Sequence, residues 1–454
     1  MSKKPWVNEE MVAKMEERRK WKNINTEEGK RNYRKLNNEL RRETEKARET
    51  WMREEFEEIE RWKRMVDMIL VYGKVKELSW ERKGSLGTGE IEDKNGEKLR
   101  EKEAILRRWE EYLSELYAEE KRPDMINIES ECEVNIDDRG CEILKSEVEK
   151  ALKELKNDRA VGRDDIPAEI WRAMGECGIV ELTKLFNQIY ETGIWPEDFL
   201  EMVMVPIEKK KGATKCSDFR TIGLISHAAK VLLRVLNRRL YARLDQDMGE
   251  EQFSFRKGRG TRDAIGVMRM IGERYAEKGR EVCVCFVDME KAFDRVDWVI
   301  LLKELRNRGV DWKERRLLLN LYMRQKAVIR VKAGESKGVK LGRGVRQGCC
   351  LSPTLFNIYL ESMIREFCDG RKGVRIGGKR IECIRFADDM ALLAENQRDL
   401  GIMMRKVEIA CEKYGMRVNI DKTRVMKMGR VQNDPLNIWI GGEKTKQMGV
   451  VVRK

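Results

Sequence analysis

Between Thr26 and Leu70 the apolar positions Leu36, Leu40, Trp51, Phe56, Ile59 and Trp62 stand three to five residues apart or more in a field of Lys, Arg and Glu. That stretch has no proline, and its single glycine, Gly29, sits near the start. The pattern predicts long solvated helices with one narrow apolar seam, supported by Glu-to-Lys pairs at helical spacing. A glycine-rich break, Lys83 to Gly89, and a D-K-N-G turn signal at Asp93 to Gly96 follow. A further helix is expected to run to Tyr117, with Arg122-Pro123-Asp124 closing the region.

The texture changes at Ser146. E-V-E-K-A-L-K-E-L-K reads as an amphipathic helix, and N-D-R-A-V-G-R-D-D-I-P-A-E-I as a loop ending in a Pro-started helix. Strands and helices alternate from there, which gives an α+β domain. E-V-C-V-C-F-V alternates and is β-branched enough for a buried strand, with Asp288 at its end and a helix start in M-E-K-A-F-D-R-V-D-W. C-I-R-F-A-D-D-M-A-L-L predicts a hairpin with Asp388 and Asp389 at its tip. In G-V-R-Q-G-C-C-L-S-P, Ser352 is expected as an N-cap and Pro353 as the first helical residue.

Composition narrows the function classes. The 454 residues carry 41% hydrophobic and 38% charged residues with a net charge of +14, against about a quarter charged in an average domain. A folded protein with a polyanionic partner fits, and nucleic acid is the leading candidate; the charged helices then double as a basic arm gripping RNA. No apolar run reaches a spanning length, no lipidation signal is present, and M-S-K-K-P-W lacks the apolar core of a signal peptide. The expected location is intracellular, cytoplasmic and/or nuclear. Eleven cysteines show no C-x-x-C, and Cys283 and Cys285 alternate as core residues would, so they read as reduced thiols. His227 is the sole histidine, which excludes histidine zinc fingers, a Ser-His-Asp triad and a histidine-dependent nuclease.

The acids carry the chemistry. Burying an ionised carboxylate without a partner is costly, so adjacent acids in an apolar hairpin face a cation. If the strands are neighbours, Asp288 and Asp388 can share two Mg²⁺ ions about 3.5–4 Å apart, with Asp389 as a supporting ligand. Gly344 and Gly348 bracket Arg346 and Gln347, so the backbone there can approach a nucleotide closely.

These three stretches resemble motifs A, B and C of the reverse transcriptases of non-long-terminal-repeat (LINE-type) retrotransposons. Val205 to Ser226 resembles the family's first fingers motif, Gln252 to Ile265 its second, Lys413 to Met426 its motif D, and the segment from Leu155 its pre-fingers stretch. The charged arm is like the segment this family carries ahead of its polymerase. The resemblance implies a right-hand polymerase, with a charged helical arm at 1–122, fingers with a pre-fingers segment at 140–280 and a palm at 281–454.

It further implies an RNA-directed DNA polymerase that uses two Mg²⁺ or Mn²⁺ ions, an RNA template, a DNA primer or target and deoxynucleotides, with no membrane partner. Asp288, Asp388 and Asp389 would be the metal-binding triad, joined by the Met289 carbonyl. Phe293 would be the steric gate against a ribose 2′-hydroxyl. Lys209, Lys210 and Arg220 would clamp the triphosphate, Gln347 and Gly348 would line the base pair, and Lys422 would donate a proton or charge to pyrophosphate. Arg256, Lys257 and Arg259 would hold the template backbone.

The chain also departs from the pattern. Val161-Gly162-Arg163-Asp164-Asp165 stands where Pro-Gly-Pro-Asp-Gly is usual, Arg220-Thr221-Ile222 where Arg-Pro-Ile is usual, and Ser254-Phe255-Arg256 where Gly-Phe-Arg is usual. K-Q-M-G-V-V-V-R-K replaces the expected Tyr-Leu-Gly turn, so the thumb, the endonuclease and the cysteine/histidine knuckle are expected to be missing. The alternative is a catalytically impaired, nucleic-acid-binding relic. A viral RNA polymerase would want Gly before the paired acids, where Ala387 stands, and an intron maturase would lack the arm.

Overall fold

The computed structural model describes residues 5–22, 24, 26–64, 90–118, 140–430 and 435–447. The glycine-rich break at Lys83–Gly89, the Arg122-Pro123-Asp124 closure and the last seven residues of the C-terminal segment lie outside them. The described residues fall into two compact units. The first contains the N-terminal helices, Leu144–Leu185 and Ser226–Val231; the second contains Ser85–Ile143, Phe186–Ile225 and Leu232–Lys454. These boundaries differ from the three sequential segments expected. Residues 90–118, read as part of the arm, belong to the unit that carries the polymerase motifs, whereas Leu144–Leu185 belongs with the arm.

In the first unit, helices Glu9–Trp21 and Glu27–Arg64 run antiparallel, as the pairings Lys14–Glu43, Arg18–Asn37 (2.9 Å) and Trp6–Trp51 (5.2 Å between rings) require. Among the described side chains of these two helices, Met11 and Leu40 are the buried apolar ones. The short helix Ala168–Ala173 docks on the long one through Arg48–Glu169 (3.0 Å) and Arg172–Glu49 (3.0 Å).

Two five-stranded sheets organise the second unit. The palm sheet runs in the order Cys383–Phe386, Asp389–Ala394, Glu281–Val287, Arg424–Gly429 and Lys446–Gln447, antiparallel except for the last pair. Strand Glu281–Val287 lies in its middle and is covered on both sides. Val282 and Val284 pack with Ile271, Tyr275, Leu393 and Met428 in one apolar cluster. Cys283 and Cys285, fully buried, alternate with them as predicted, and burial pushes the Cys285 thiol up to about 12. The second sheet has Phe219–Leu224, Glu201–Glu208, Lys326–Val331 and Gly334–Glu335 in order, with Val339–Lys340 also on Lys326–Val331. Strand Lys326–Val331 pairs in parallel with Glu201–Met204, although its sequence position lies between motifs A and B. A fingers sheet that borrows a strand from the expected palm range is a long-range pairing, to which local pattern is blind.

The D-K-N-G turn forms as read: Asp93 Oδ1 accepts from the Asn95 and Glu97 amides at 2.8 Å, and Gly96 takes φ +89°. At motif B the helix is Ser352–Phe367, one residue earlier than expected. Ser352 is its first residue rather than its N-cap: its hydroxyl donates to the Arg346 carbonyl (2.8 Å), and Leu351 takes the N-cap position.

Candidate active site

The palm register brings the acids together. Val287 pairs with Met390 and Phe386 with Asp389, so one further step along the ladder sets Asp288 opposite Asp389. Opposed residues share a sheet face. Ala387 and Asp388 form the two-residue tip between the strands. Asp388 is held above the usual carboxylate range by burial first, and then by repulsion from Asp389 and Asp288. Burial and Asp288 do the same to Asp389, with Lys422 opposing. The sequence reading paired Asp288 with Asp388 and made Asp389 a supporting ligand; the ladder makes Asp389 the direct cross-strand neighbour.

Ala387 adopts φ +57°, a left-handed backbone that costs an L-residue about 1–2 kcal/mol. Gln252, 1% exposed, holds it: its Oε1 accepts from the Ala387 amide (3.3 Å) and the Ser254 amide (3.0 Å). The flanking backbone pairs too, Arg385 N to Glu251 O at 2.9 Å and Phe253 N to Arg385 O at 3.0 Å. The second fingers motif is therefore an edge partner of the acidic hairpin. Sequence reasoning gave Gln252 no role, since its partner lies 135 residues away.

Cations stand over the acids. Lys422 Nζ is 3.5 Å from Asp288 Oδ1, close enough for attraction but not aligned as a hydrogen bond. Lys209 is depressed by burial and then by the charges of Lys422 and Arg220, so these three belong to one basic group. Arg220 also acts on Asp388. Lys209 Nζ donates to the Ser217 carbonyl (2.8 Å), which fixes it on the fingers loop. Lys210 is exposed beside it. Met289 forms an antiparallel bridge with Val418; its two hydrogen bonds, Asn419 N to Asp288 O (2.8 Å) and Glu290 N to Arg417 O (2.9 Å), do not use the Met289 carbonyl.

Phe293 lies five residues beyond Asp288, half-buried, stacked on Phe356 at 4.2 Å and edge-on to the exposed Phe255 at 6.4 Å. The motif B loop sits beside it, with the Val345 amide donating to the Phe293 carbonyl (2.8 Å). Gly348, at φ +101°, presses on the fingers strand: a Cβ there would meet Gly223 O at 2.6 Å, and Gly223 N donates to Gln347 O at 2.7 Å. Its freedom thus serves a backbone-to-backbone approach within the protein. Arg346 does not face the site at all. It is 2% exposed, and its guanidinium donates to Gln325 Oε1, Phe199 O and Leu200 O.

Arg256, expected on the template, instead spends its fork inside the loop, on Asp245 Oδ1 (2.9 Å), Gly249 O (2.9 Å) and Asp245 O (3.3 Å). Arg259 donates to the Glu250 carbonyl and lies over Phe253, while the Lys257 side chain is exposed. Asp294 and Tyr117 also escaped the sequence reading. Asp294, 5% exposed, accepts at one oxygen from Gln347 Nε2 and from the hydroxyl of Tyr117, both at 2.7 Å.

Among the described residues no three acidic, cysteine or histidine side chains close around one point as placed. The donor chemistry nonetheless fits a hard divalent cation: three carboxylates on adjoining backbone, with Asp288 Oδ1 buried and without an aligned donor. The reverse transcriptase (RNA-dependent DNA polymerase) family matches residues 207–450. Reverse transcriptases generally use divalent metal ions. A Pol polyprotein from the type-1 retrotransposable element R2 of Nasonia vitripennis is 26% identical over 60% of this chain and 27% of its own length. The RNA-directed DNA polymerase from mobile element jockey of Drosophila melanogaster is 23% identical over 62% of this chain and 31% of its own. The chain thus spans about a quarter to a third of the length of these relatives. Telomerase from Candida albicans, solved with a fragment of telomeric RNA, superposes with a TM-score of 0.40 at 15% identity, over 62% of this chain and 48% of that one. No described helix is long and apolar enough to cross a membrane. With its motifs in order on a palm sheet and more than half its length matched, the chain belongs to the reverse transcriptase family.

Proposed function

We propose that this chain is an RNA-directed DNA polymerase of a LINE-type retrotransposon, extending a DNA primer 3′-hydroxyl with deoxynucleotides on an RNA template. The observation that carries the reading is the register of the palm sheet, which sets Asp288 against the Asp388–Asp389 hairpin beneath the Lys209, Arg220 and Lys422 cations. Asp288, Asp388 and Asp389, with the Met289 carbonyl, would hold two Mg²⁺ or Mn²⁺ ions, which when bound lower the pKa of the primer hydroxyl and offset charge on departing pyrophosphate.

The chain's own residues supply positioning and charge. Arg220 and Lys209 bind the triphosphate from the fingers hairpin, where both side chains are exposed and mutually repelled until an anion arrives. Lys422, beside Asp288, holds positive charge where pyrophosphate leaves. Phe293, locked between Phe356 and Phe255, excludes a 2′-hydroxyl by volume. Gln347 lines the nascent base pair, and Lys257, exposed on the second fingers loop, holds template phosphate.

Primer extension on an RNA template with deoxynucleotides and Mg²⁺ or Mn²⁺ tests the reading. Incorporation that disappears in Asp388→Ala, and ribonucleotide discrimination that falls in Phe293→Val, are the expected results. Salt-sensitive RNA binding with no incorporation by the unaltered chain would overturn it in favour of a binding relic.

A further inference from the structure

Residues 90–118 are not a passive linker to the polymerase motifs. Helix Lys102–Leu116 has Trp109 fully buried, edge-on to Phe219 of the fingers strand at 5.6 Å. Its end is tied to the segment ahead of motif B, with Arg343 donating to the Leu116 carbonyl and Gly342 N to the Tyr117 carbonyl (3.0 Å). It touches motif A at two points: Lys291 Nζ donates to the Tyr112 hydroxyl (2.6 Å), and the Tyr117 hydroxyl donates to Asp294 Oδ1 (2.7 Å).

That second contact has a chemical consequence. The same Asp294 oxygen receives Gln347 Nε2. A carboxylate only accepts, so the Gln347 amide must turn its NH₂ toward Asp294 and its Oε1 away. The main chain of Gln347 is fixed separately, through Gly223 N to its carbonyl. Asp294 also adjoins Phe293, whose carbonyl takes the Val345 amide. One buried carboxylate therefore sets the orientation of the amide assigned to nucleotide selection, and it needs two donors to remain ionised where burial opposes its charge.

We propose that Tyr117, contributed by the helix ahead of the fingers, is a positioning residue for nucleotide selection that acts through Asp294 on Gln347. The inference rests on the polymerase reading above. Without the Tyr117 hydroxyl the carboxylate keeps one donor and can rotate, releasing the Gln347 amide.

Single-nucleotide extension kinetics on Tyr117→Phe test it, alongside Gln347→Ala and the double variant. Tyr117→Phe is expected to raise KM for the correct deoxynucleotide about tenfold, with kcat within about a factor of two, and to increase misincorporation. Added to Gln347→Ala, it should change little further, since both act through one oxygen. Thermal midpoints of the same variants supply an activity-free cycle, in which non-additive shifts are expected. A Tyr117→Phe protein that melts lower but keeps wild-type KM and fidelity would overturn the inference, leaving Tyr117 as packing. Additive midpoints would overturn the coupling even if the unaltered chain incorporated nothing, an outcome that would separately remove the polymerase reading.

Discussion

Replacing Arg346 tests whether motif B reaches outward or inward. Its guanidinium makes three hydrogen bonds, to Gln325 Oε1 (2.9 Å), Phe199 O (3.0 Å) and Leu200 O (3.2 Å), and burial depresses its pKa. Arg346→Met would strand three acceptors where water cannot follow, at about 1–3 kcal/mol each. Relief from burying a cation offsets part of that loss, so a net destabilisation of about 3–5 kcal/mol is expected. Arg346→Lys keeps the charge but not the fork, and about half of the loss should remain. Urea unfolding followed by tryptophan fluorescence gives the stability. Amide hydrogen exchange at Met202–Met204 and Gln347–Cys349 tells whether the fingers strand and the motif B loop loosen together. An Arg346→Met protein within about 1 kcal/mol of wild type, with a raised KM for deoxynucleotides, would refute the argument and point the side chain toward the nucleotide.

Gly348→Ala should lower the thermal midpoint and weaken extension, because its Cβ meets Gly223 O at 2.6 Å and φ +101° is costly by about 1–3 kcal/mol; an unchanged midpoint would contradict this. For Asp388, the folded pKa is raised, so the native state binds its proton more tightly than the unfolded chain does. Ionisation at neutral pH thus works against folding, and this contribution to stability recovers as pH falls through the folded pKa. Asp388→Asn should therefore melt above wild type at pH 7, lose that advantage toward pH 4, and extend no primer; a lower melting point at pH 7 would refute it. Arg256→Ala is expected to cost about 1.5–3 kcal/mol of stability without altering the salt slope of RNA binding, whereas Lys257→Ala should reduce that slope by about one and leave stability intact. The reverse pattern would restore Arg256 to the template.

Local signals were legible wherever the cause was local. The unbroken apolar run from Val282 to Val287 is what a strand buried on both faces needs, and the hairpin tip follows from paired acids between apolar runs. The narrow seam of Leu40 and its neighbours gave the long helix, and Asp93 with Gly96 gave its turn. Arg256 was placed on the template, and the inward role of Arg346 went unread, because an arginine's partners here are largely carbonyls, which every residue possesses and no sequence marks as near. The helix ending at Leu116 was legible as a helix, but its charged face concealed that Trp109 and Tyr117 dock on the polymerase unit.

The order of motifs and the identity of their acids determined by themselves which family this chain joins, because carboxylates beside apolar strands have few uses other than a cation. Tertiary structure alone decided which acid faces which, since a one-residue change of register would turn Asp389 to the opposite face of the palm. It also decided that Gln252 stabilises the strained tip and that Asp294 gathers Tyr117 and Gln347. Those contacts span tens to well over a hundred positions, and only the folding of the chain brings their polar atoms within hydrogen-bonding reach.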